Sequence, residues 1–250
     1  VAIVVILTAF LNNLLLSFAH INLPQVITML MTPLVSAVDN VWGIIILALI
    51  VMVFWWFGIH DSVITSALDP FFYSNLGANA AAFAAGTAAV ALPHVVTAPF
   101  WWNFMAIGGS GATLGLAFLA LTSKSKQLRT IGKLSFIPSL FNINEPLIFG
   151  MPVMLNPIFF IPMVFCNVVM GFIGLFATQI FTFTYNPAMS LLPWTTPFFV
   201  KAFLAGGISL LIMVLILLVV NTLMYYPFFR IADKKAYEEE QLAKVGGKIE

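Results

Sequence analysis

Charged side chains are scarce in this 250-residue sequence, in which 8% of the residues are charged and 62% are hydrophobic. No lysine or arginine precedes Lys124, and the formal charges before it are limited to Asp39, Asp61 and Asp69. A water-exposed surface of that length would carry many more charges, so most of this stretch must face lipid or other protein. The scarcity excludes an ordinary soluble domain, and a net charge of +1 offers no basic surface for nucleic acid.

The residues on which several enzyme classes depend are missing as well. The single cysteine, Cys166, lies in an apolar run, which permits no disulfide or metal framework and favours an inert thiol in the core or facing lipid. There is no HExxH pair and no nucleophile elbow, and the stretch GGSGATLG at 108–115 lacks the lysine of a phosphate-binding loop. We interpret that stretch as a site of close helix packing. The sequence therefore predicts neither a catalytic residue nor a metal or cofactor site.

Long apolar runs are what the sequence has in abundance. Because a membrane-spanning helix needs about 20 apolar residues, residues 41–58, 158–184 and 198–226 are predicted to be transmembrane helices. Residues 100–121 are a further predicted span. Residues 1–18 look like the inside of a span rather than a signal peptide, since they lack a basic leading segment and a cleavage site. We expect an all-α polytopic membrane protein, and a chain that is part of something longer.

Three segments between these runs are too interrupted to be simple spans. Residues 19–40 combine two prolines with helical hydrophobic spacing, which favours an interfacial amphipathic helix over a connecting loop. Residues 59–99 and 134–157 are predicted to be re-entrant hairpins; the second contains four prolines, and an interior proline breaks a helix. Asp69 precedes Pro70 and is predicted to form a turn. Irregular backbone at membrane depth is tolerated where it lines a cavity, so the hairpins predict a cavity like those of transporters.

The positions of the cations predict the topology and the domains. Lysines and arginines cluster in 124–133 and 230–248, and such clusters report which side of the membrane a segment faces. If both clusters face the cytoplasm, the chain between them crosses an even number of times, which suits two spans and a hairpin that returns to its own side. We predict a truncated span with an interfacial linker at 1–40, a substrate-binding transport domain at 41–230 and a cytoplasmic tail at 231–250.

The segment FNINEP contains the strongest candidate for a binding residue, Glu145. A carboxylate at membrane depth costs about 2.5 to 3.5 kcal/mol and is expected to face a cavity or a partner. Asn142 and Asn144 flank it, and amide side chains both donate and accept hydrogen bonds, as sugar hydroxyls require. The alternative is a glutamate at a loop tip in water. His60 is either a ligand or a helix-packing residue, and the neighbouring Asp61 is suited to orient its ring.

Other polar and aromatic side chains carry weaker predictions. His94 lies between two prolines, which favours a structural role in the first hairpin, and it is retained as a candidate substrate-binding residue. His20 is expected at the membrane interface. Four tryptophans have flat rings that suit the apolar face of a sugar, but tryptophan is also enriched at membrane interfaces, which is the simpler interpretation for most of them: Trp55, Trp56, Trp101 and Trp102.

The stretch FNINEPLIFGMPVMLNPIFFIPM resembles the membrane-spanning IIC component of bacterial phosphotransferase-system sugar permeases, in the lactose/cellobiose/diacetylchitobiose branch. FWWFGIH, WNFMAIGGSGATLGLAF and the DKKAYEEE tail resemble the same family. The resemblance covers essentially all of the chain but only the later part of a family member, whose additional N-terminal spans contribute to a dimer interface. It implies a multi-pass protein of the bacterial inner membrane that forms a homodimer at full length.

The resemblance also implies a function and a set of partners. A β-linked disaccharide would enter a closed pocket from outside and move inward, and the phosphocysteine of the cytoplasmic IIB component, supplied through IIA, would phosphorylate it. The phosphoryl donor would therefore not be Cys166. The resemblance places Glu145 and His60 at sugar hydroxyls near the phosphorylation position, with Asn142 and Asn144 shaping the hairpin or contacting the ligand. A glycine usually follows the histidine in the family, whereas Asp61 follows it here.

Two other functions fit the residues without the resemblance. A proton- or ion-coupled secondary transporter would use Glu145 as a proton relay. A membrane scaffold without transport activity would have no need of broken hairpins. The residues alone do not separate the first of these from a sugar permease.

Overall fold

The computed structural model describes residues 2–26, 29, 40–180 and 192–246, and within these ranges the chain is helical with no strand. The predicted all-α class is therefore confirmed for the described residues. A 3-10 turn at Ala89–Ala91, a π-helical turn at Trp101–Met105 and a helical stretch at 23–26 accompany nine further α-helices in these ranges. These are α1 Ala2–Ala19, α2 Val41–Trp56, α3 Ser62–Ala84, α4 Ala98–Phe100, α5 Leu114–Leu121, α6 Lys126–Leu140, α7 Glu145–Gly150, α8 Pro157–Ile180 and α9 Phe198–Gly246.

The long apolar runs form helices as predicted. Helices α1, α8 and α9 are long and apolar enough to cross a membrane, and α2 is a shorter apolar helix of 16 residues. The amphipathic helix predicted at 19–40 falls largely outside the described residues, as does the end of the span predicted at 158–184. Helix α8 packs against α2, α9 and the π-helical turn, and this contact forms the centre of the core. Cys166 is fully buried there, as predicted for an inert thiol.

The span predicted at 100–121 is wrong, because this segment is two short helical pieces joined by a loop. After Met105 the chain leaves the helix, passes through 106–113 and enters α5. Gly108, Gly109 and Gly111 in this loop have φ values of 79°, 95° and 86°, which no α-helix contains. The interpretation of GGSGATLG as a site of close helix packing is therefore wrong for the glycines of this loop. It is right for Gly115, because an added Cβ there would lie 2.7 Å from Thr222 Cα of α9 and would keep the two helices apart.

The first predicted hairpin contains a 23-residue helix, α3, which runs through Pro70. The turn predicted at Asp69 is therefore wrong. Buried side chains recur along α3 at helical spacing, and their packing outweighs the one backbone hydrogen bond that the proline removes: Thr65, Leu68, Phe72, Leu76 and Asn79. Beyond α3 the chain returns alongside it. Asn75 Nδ2 donates to Val96 O at 3.0 Å, and the Asn79 amide bonds both N and O of His94.

The second predicted hairpin is interrupted as its prolines indicated. Helix α6 ends at Leu140, a turn follows at 141–144, and the short α7 ends in a second turn at 151–156 before α8 begins. Asn142 has a φ of 64° in the first turn. Whether this helix–turn–helix enters the membrane and returns stays a prediction.

Helix α9 is 49 residues long, with a break at Gly206 and Gly207, and it extends through most of the predicted tail. Its Asp233 carboxylate accepts from the backbone N of Lys124 and Ser125 at 3.0 and 3.1 Å, and Glu240 accepts from the Ser125 hydroxyl at 2.6 Å. We call this contact between residues 123–127 and the end of α9 the clasp. The clasp brings both basic clusters to one end of the molecule. This is the arrangement required if both clusters face the same side of the membrane, as predicted.

Candidate functional site

Five of the six predicted site residues line one cavity of about 210 Å³. The start of α3, the loop at 106–113, the turn at 141–144 and the start of α7 enclose it. The five are His60, Asp61, Asn142, Asn144 and Glu145. The sixth, His94, does not line this cavity; its backbone is bound to Asn79 of α3, as described above.

His60 lies between two carboxylates at the mouth of the cavity. Its Nδ1 is 2.9 Å from Asp61 Oδ1, and its Nε2 is 3.8 Å from Glu145 Oε1. The ring also packs edge-on against Trp55 with centroids 4.3 Å apart. The His60 and Glu145 side chains are 49% and 42% exposed, so both reach the cavity. Two polar groups that converge on one space are suited to bind one ligand hydroxyl.

Glu145 is the first residue of α7 and is followed by a proline, which suits the first turn of a helix. A carboxylate is favoured at this end because the helix dipole is positive there. Among the described residues, no group donates to Glu145 Oε2, although this atom is enclosed. The carboxylate therefore presents Oε1 toward His60 and the cavity, while Oε2 is enclosed.

Asn142 and Asn144 are buried and bind the protein itself. Asn142 Oδ1 accepts from Gly108 N at 3.1 Å, and Asn144 Nδ2 donates to Ser110 O and Thr113 Oγ1, both at 2.8 Å. These bonds join the turn at 141–144 to the loop at 106–113. Of the two roles considered for these asparagines, the contacts favour shaping the hairpin over contacting the ligand.

Asp61 joins α3 to the same loop. Its carboxylate is buried, and Oδ2 accepts a short hydrogen bond from the Ser110 hydroxyl while Oδ1 faces His60. His60 Nδ1 also contacts Ser62, whose backbone N lies 3.2 Å away and whose Oγ lies 2.8 Å away, so the orienting role of Asp61 stays a prediction. Ser110 belongs to the glycine-rich stretch that was predicted to be a site of helix packing, and that prediction did not indicate its place in the cavity wall.

Further cavity residues lie on one face of α3. Polar side chains recur there every three or four residues, at Ser62, Ser66, Asp69 and Tyr73, and all four line the cavity. This helical spacing is visible in the sequence and indicates one polar helix face, but the turn predicted at Asp69 is incompatible with a helix through these residues. Asp69 adds a third carboxylate to those of Asp61 and Glu145.

Two tryptophan rings form part of the cavity wall. The Trp102 and Trp194 ring centroids are 5.6 Å apart with an interplanar angle of 32°, and both residues line the cavity. Trp194 was not among the predicted candidates, because it lies 49 residues from Glu145 in the sequence and nothing local to it indicates the site. Flat aromatic walls with a few convergent polar groups are typical of sites for small polar ligands.

Comparison with known proteins places the chain in a family. A family model described as "Phosphotransferase system, EIIC" matches residues 1–167. The chain is 43% identical over 216 residues to the galactose-specific EIIC component of Lactococcus lactis subsp. cremoris, covering 86% of this chain and 48% of that protein. It is 37% identical over 228 residues to the lactose-specific EIICB component of Streptococcus mutans, covering 90% of this chain and 39% of that protein.

A solved structure shares the fold. The crystal structure of ChbC, the IIC component from the N,N'-diacetylchitobiose-specific phosphotransferase system, superposes with a TM-score of 0.78 at 32% identity, covering 93% of this chain and 54% of that one. The chain thus spans about half the length of these relatives or less. The resemblance first indicated by FNINEP is confirmed: the chain belongs to the EIIC family of the phosphotransferase system and is an integral membrane protein.

Proposed function

We propose that this chain forms the sugar-binding part of a phosphotransferase-system permease and that its cavity takes a β-linked disaccharide of the cellobiose, lactose or chitobiose type. The observation that carries the proposal is the convergence of Glu145, His60 and two tryptophan rings on one polar cavity in an otherwise apolar chain. Carboxylate and imidazole groups bind sugar hydroxyls, and flat rings cover the apolar face of a pyranose. The galactose, lactose and diacetylchitobiose specificities in the relatives' names support this substrate class.

The dimensions of α6 support a re-entrant tip at 141–144. The helix has 15 residues and is therefore about 22 Å long. One end meets the clasp, which carries the basic clusters, and the other ends at the turn beside the cavity. With the clasp at the cytoplasmic surface, this length places the turn well inside a hydrocarbon core that is about 30 Å thick.

We therefore propose a re-entrant hairpin at 134–157. It would lie within a transport domain at 41–230, which also contains a second hairpin within 59–99. The proposed domain organisation is completed by a scaffold-side segment at 1–40 and a cytoplasmic tail at 231–250.

The proposed reaction transfers a phosphoryl group to the bound sugar. A sugar hydroxyl attacks the phosphorus of a phosphocysteine on the IIB partner; the new P–O bond forms, the P–S bond breaks, and the thiolate leaves. The hydroxyl proton passes to a base at the site. His60 Nε2 and Glu145 Oε1, which are 3.8 Å apart, are the groups placed to accept it. IIA supplies the phosphate to IIB in this scheme, and the full-length protein works as a homodimer in the lipid membrane.

The test is equilibrium binding of radiolabelled cellobiose and lactose to the purified protein in lipid nanodiscs. We expect Glu145→Gln and His60→Ala each to abolish measurable binding, because each removes a group facing the ligand. Glu238→Gln is the matched control, since Glu238 lies on the exposed part of α9 and pairs with Lys234 at 3.8 Å. Equal sugar binding by all variants would refute the site.

A second measurement separates a permease of this class from an ion-coupled transporter. Vesicles containing the protein and phosphorylated IIB should accumulate sugar phosphate and should do so after the proton gradient is collapsed. Accumulation of unmodified sugar that depends on the gradient would contradict the proposal.

A further inference from the structure

Lys201 is a buried lysine that the proposed reaction does not use. It is the one lysine or arginine outside the two basic clusters, and it lies in the first turn of α9 with 3% of its surface exposed. An ionisable side chain inside a membrane protein is expensive to bury and therefore indicates a function. Its Nζ donates to the backbone O of Trp194 at 3.1 Å.

The same carbonyl oxygen is bound from a second direction. Asn142 Nδ2 donates to Trp194 O at 2.6 Å, while Asn142 Oδ1 holds Gly108 N. The backbone of Trp194 is therefore fixed between α9 on one side and the turn at 141–144 on the other. Trp194 itself lies in the turns that precede α9 and not in a helix.

The Trp194 side chain projects from this fixed backbone to the cavity. The residue is 44% exposed, its ring is paired with that of Trp102, and both rings line the cavity with Glu145 and His60. A ring that is half exposed is held by fewer neighbours than a fully buried ring would be. Its position depends on the backbone to which it is attached, and Lys201 and Asn142 fix that backbone.

We propose that Lys201 is a positioning residue for sugar binding: its ammonium group holds the Trp194 carbonyl so that the Trp194 and Trp102 rings form a platform for a pyranose ring. This inference rests on the proposed function. A charged donor suits the task because a hydrogen bond from an ammonium group is about twice as strong as a neutral one. Lysine also reaches the carbonyl from α9 through an apolar stem, which suits its buried position.

The first variant is Lys201→Met in the full protein, in which the apolar stem is retained and the donor is lost. We expect the dissociation constant for the disaccharide to rise about tenfold. The KM for sugar in phosphoryl transfer from IIB should rise by a similar factor while kcat is unchanged, since His60 and Glu145 are untouched. Lys201→Arg keeps a charged donor and should restore most of the affinity.

A double-mutant cycle separates positioning from general stabilisation. Trp194→Ala removes the ring but leaves the carbonyl that Lys201 binds, so in this background Lys201→Met should weaken sugar binding by less than twofold. If Lys201→Met lowers the melting temperature but leaves sugar affinity unchanged, or weakens binding equally in both backgrounds, the proposal is wrong.

The test remains decisive if Lys201→Met does not fold. Trp194→Ala alone should weaken disaccharide binding about tenfold, and parental affinity in that variant would show that there is no platform to position. Failure of the parent protein to bind any sugar would instead overturn the proposed function. The two failures are therefore distinguishable.

Discussion

The hydrogen bond between Ser110 and Asp61 joins the start of α3 to the glycine-rich loop at 106–113, and the same carboxylate contacts His60. Ser110→Ala leaves one oxygen of a buried carboxylate without its donor, so we expect a loss of about 1 to 3 kcal/mol in the free energy of unfolding. Sugar affinity should fall as well, because Asp61 also holds His60. Denaturant titration of the purified protein measures the first effect and equilibrium binding the second.

The control for this substitution is Ser66→Ala, since Ser66 lines the same cavity but is exposed. It should change the unfolding free energy by less than about 0.5 kcal/mol. Equal stability of Ser110→Ala and Ser66→Ala would show that the contact with Asp61 does not stabilise the fold.

Single residues also show how far the sequence predicts the site. Glu145 and His60 could be predicted as site residues because a polar side chain in a long apolar stretch needs a cavity or a partner in any fold. Trp194 and Ser110 were not, since each enters the site through contacts with residues distant in sequence, such as the bonds from Asn142 and Lys201 to Trp194 O. No local pattern carries that information.

Among the structural elements, the loop at 106–113 depends on its glycines. Gly109 has a φ of 95°, and a Cβ there would lie 2.6 Å from Asn144 Cγ. Gly109→Ala should therefore combine backbone strain with displacement of Asn144, lowering the unfolding free energy by about 3 kcal/mol and abolishing sugar binding. Thermal unfolding followed by binding assays would measure both effects.

Gly86 offers a matched control, since its φ is 93° but a Cβ there meets nothing within 4 Å. Gly86→Ala should show the backbone strain alone, about 1 to 2 kcal/mol, with sugar affinity unchanged. Similar losses in both variants would mean that the fit between the loop and Asn144 is loose.

Apolar runs predict the long helices but not the loop at 106–113. Helices α2, α8 and α9 follow from apolar runs long enough to cross or enter a membrane. The predicted span at 100–121 failed because hydropathy does not record the positive φ values that glycine permits at Gly108 and Gly109. Helix α3 was not predicted as a continuous helix because Pro70 favoured a turn at Asp69. The helical spacing of the buried side chains was the better indicator.

At the scale of the whole molecule, negative charge is concentrated in the cavity, at the end of α6 away from the clasp. Among the described residues, the cavity lining includes Asp61, Asp69 and Glu145 and no lysine or arginine. Lys201 does not line the cavity, since its ammonium group binds the backbone O of Trp194. Like charges brought together in a partly desolvated site repel strongly. In the proposed function, a neutral sugar would enter this cavity without repulsion, whereas the phosphorylated product would add about two negative charges to it.

We therefore expect a disaccharide phosphate to bind at least tenfold more weakly than the unmodified disaccharide, which would favour release of the product after phosphoryl transfer.

Asp69→Asn removes one carboxylate from the cavity without a change of size. It should reduce the ratio of the two dissociation constants, sugar phosphate to sugar, several-fold, chiefly because the sugar phosphate binds more tightly. Glu238→Gln removes an equal charge from the far end of α9 and should leave the ratio unchanged. Competition binding at low and high salt measures the ratio, and the difference should shrink as salt screens the repulsion. Equal affinity for sugar and sugar phosphate in the parent protein would show that the cavity carboxylates do not discriminate by charge, and release would then have to come from a movement of the proposed transport domain instead.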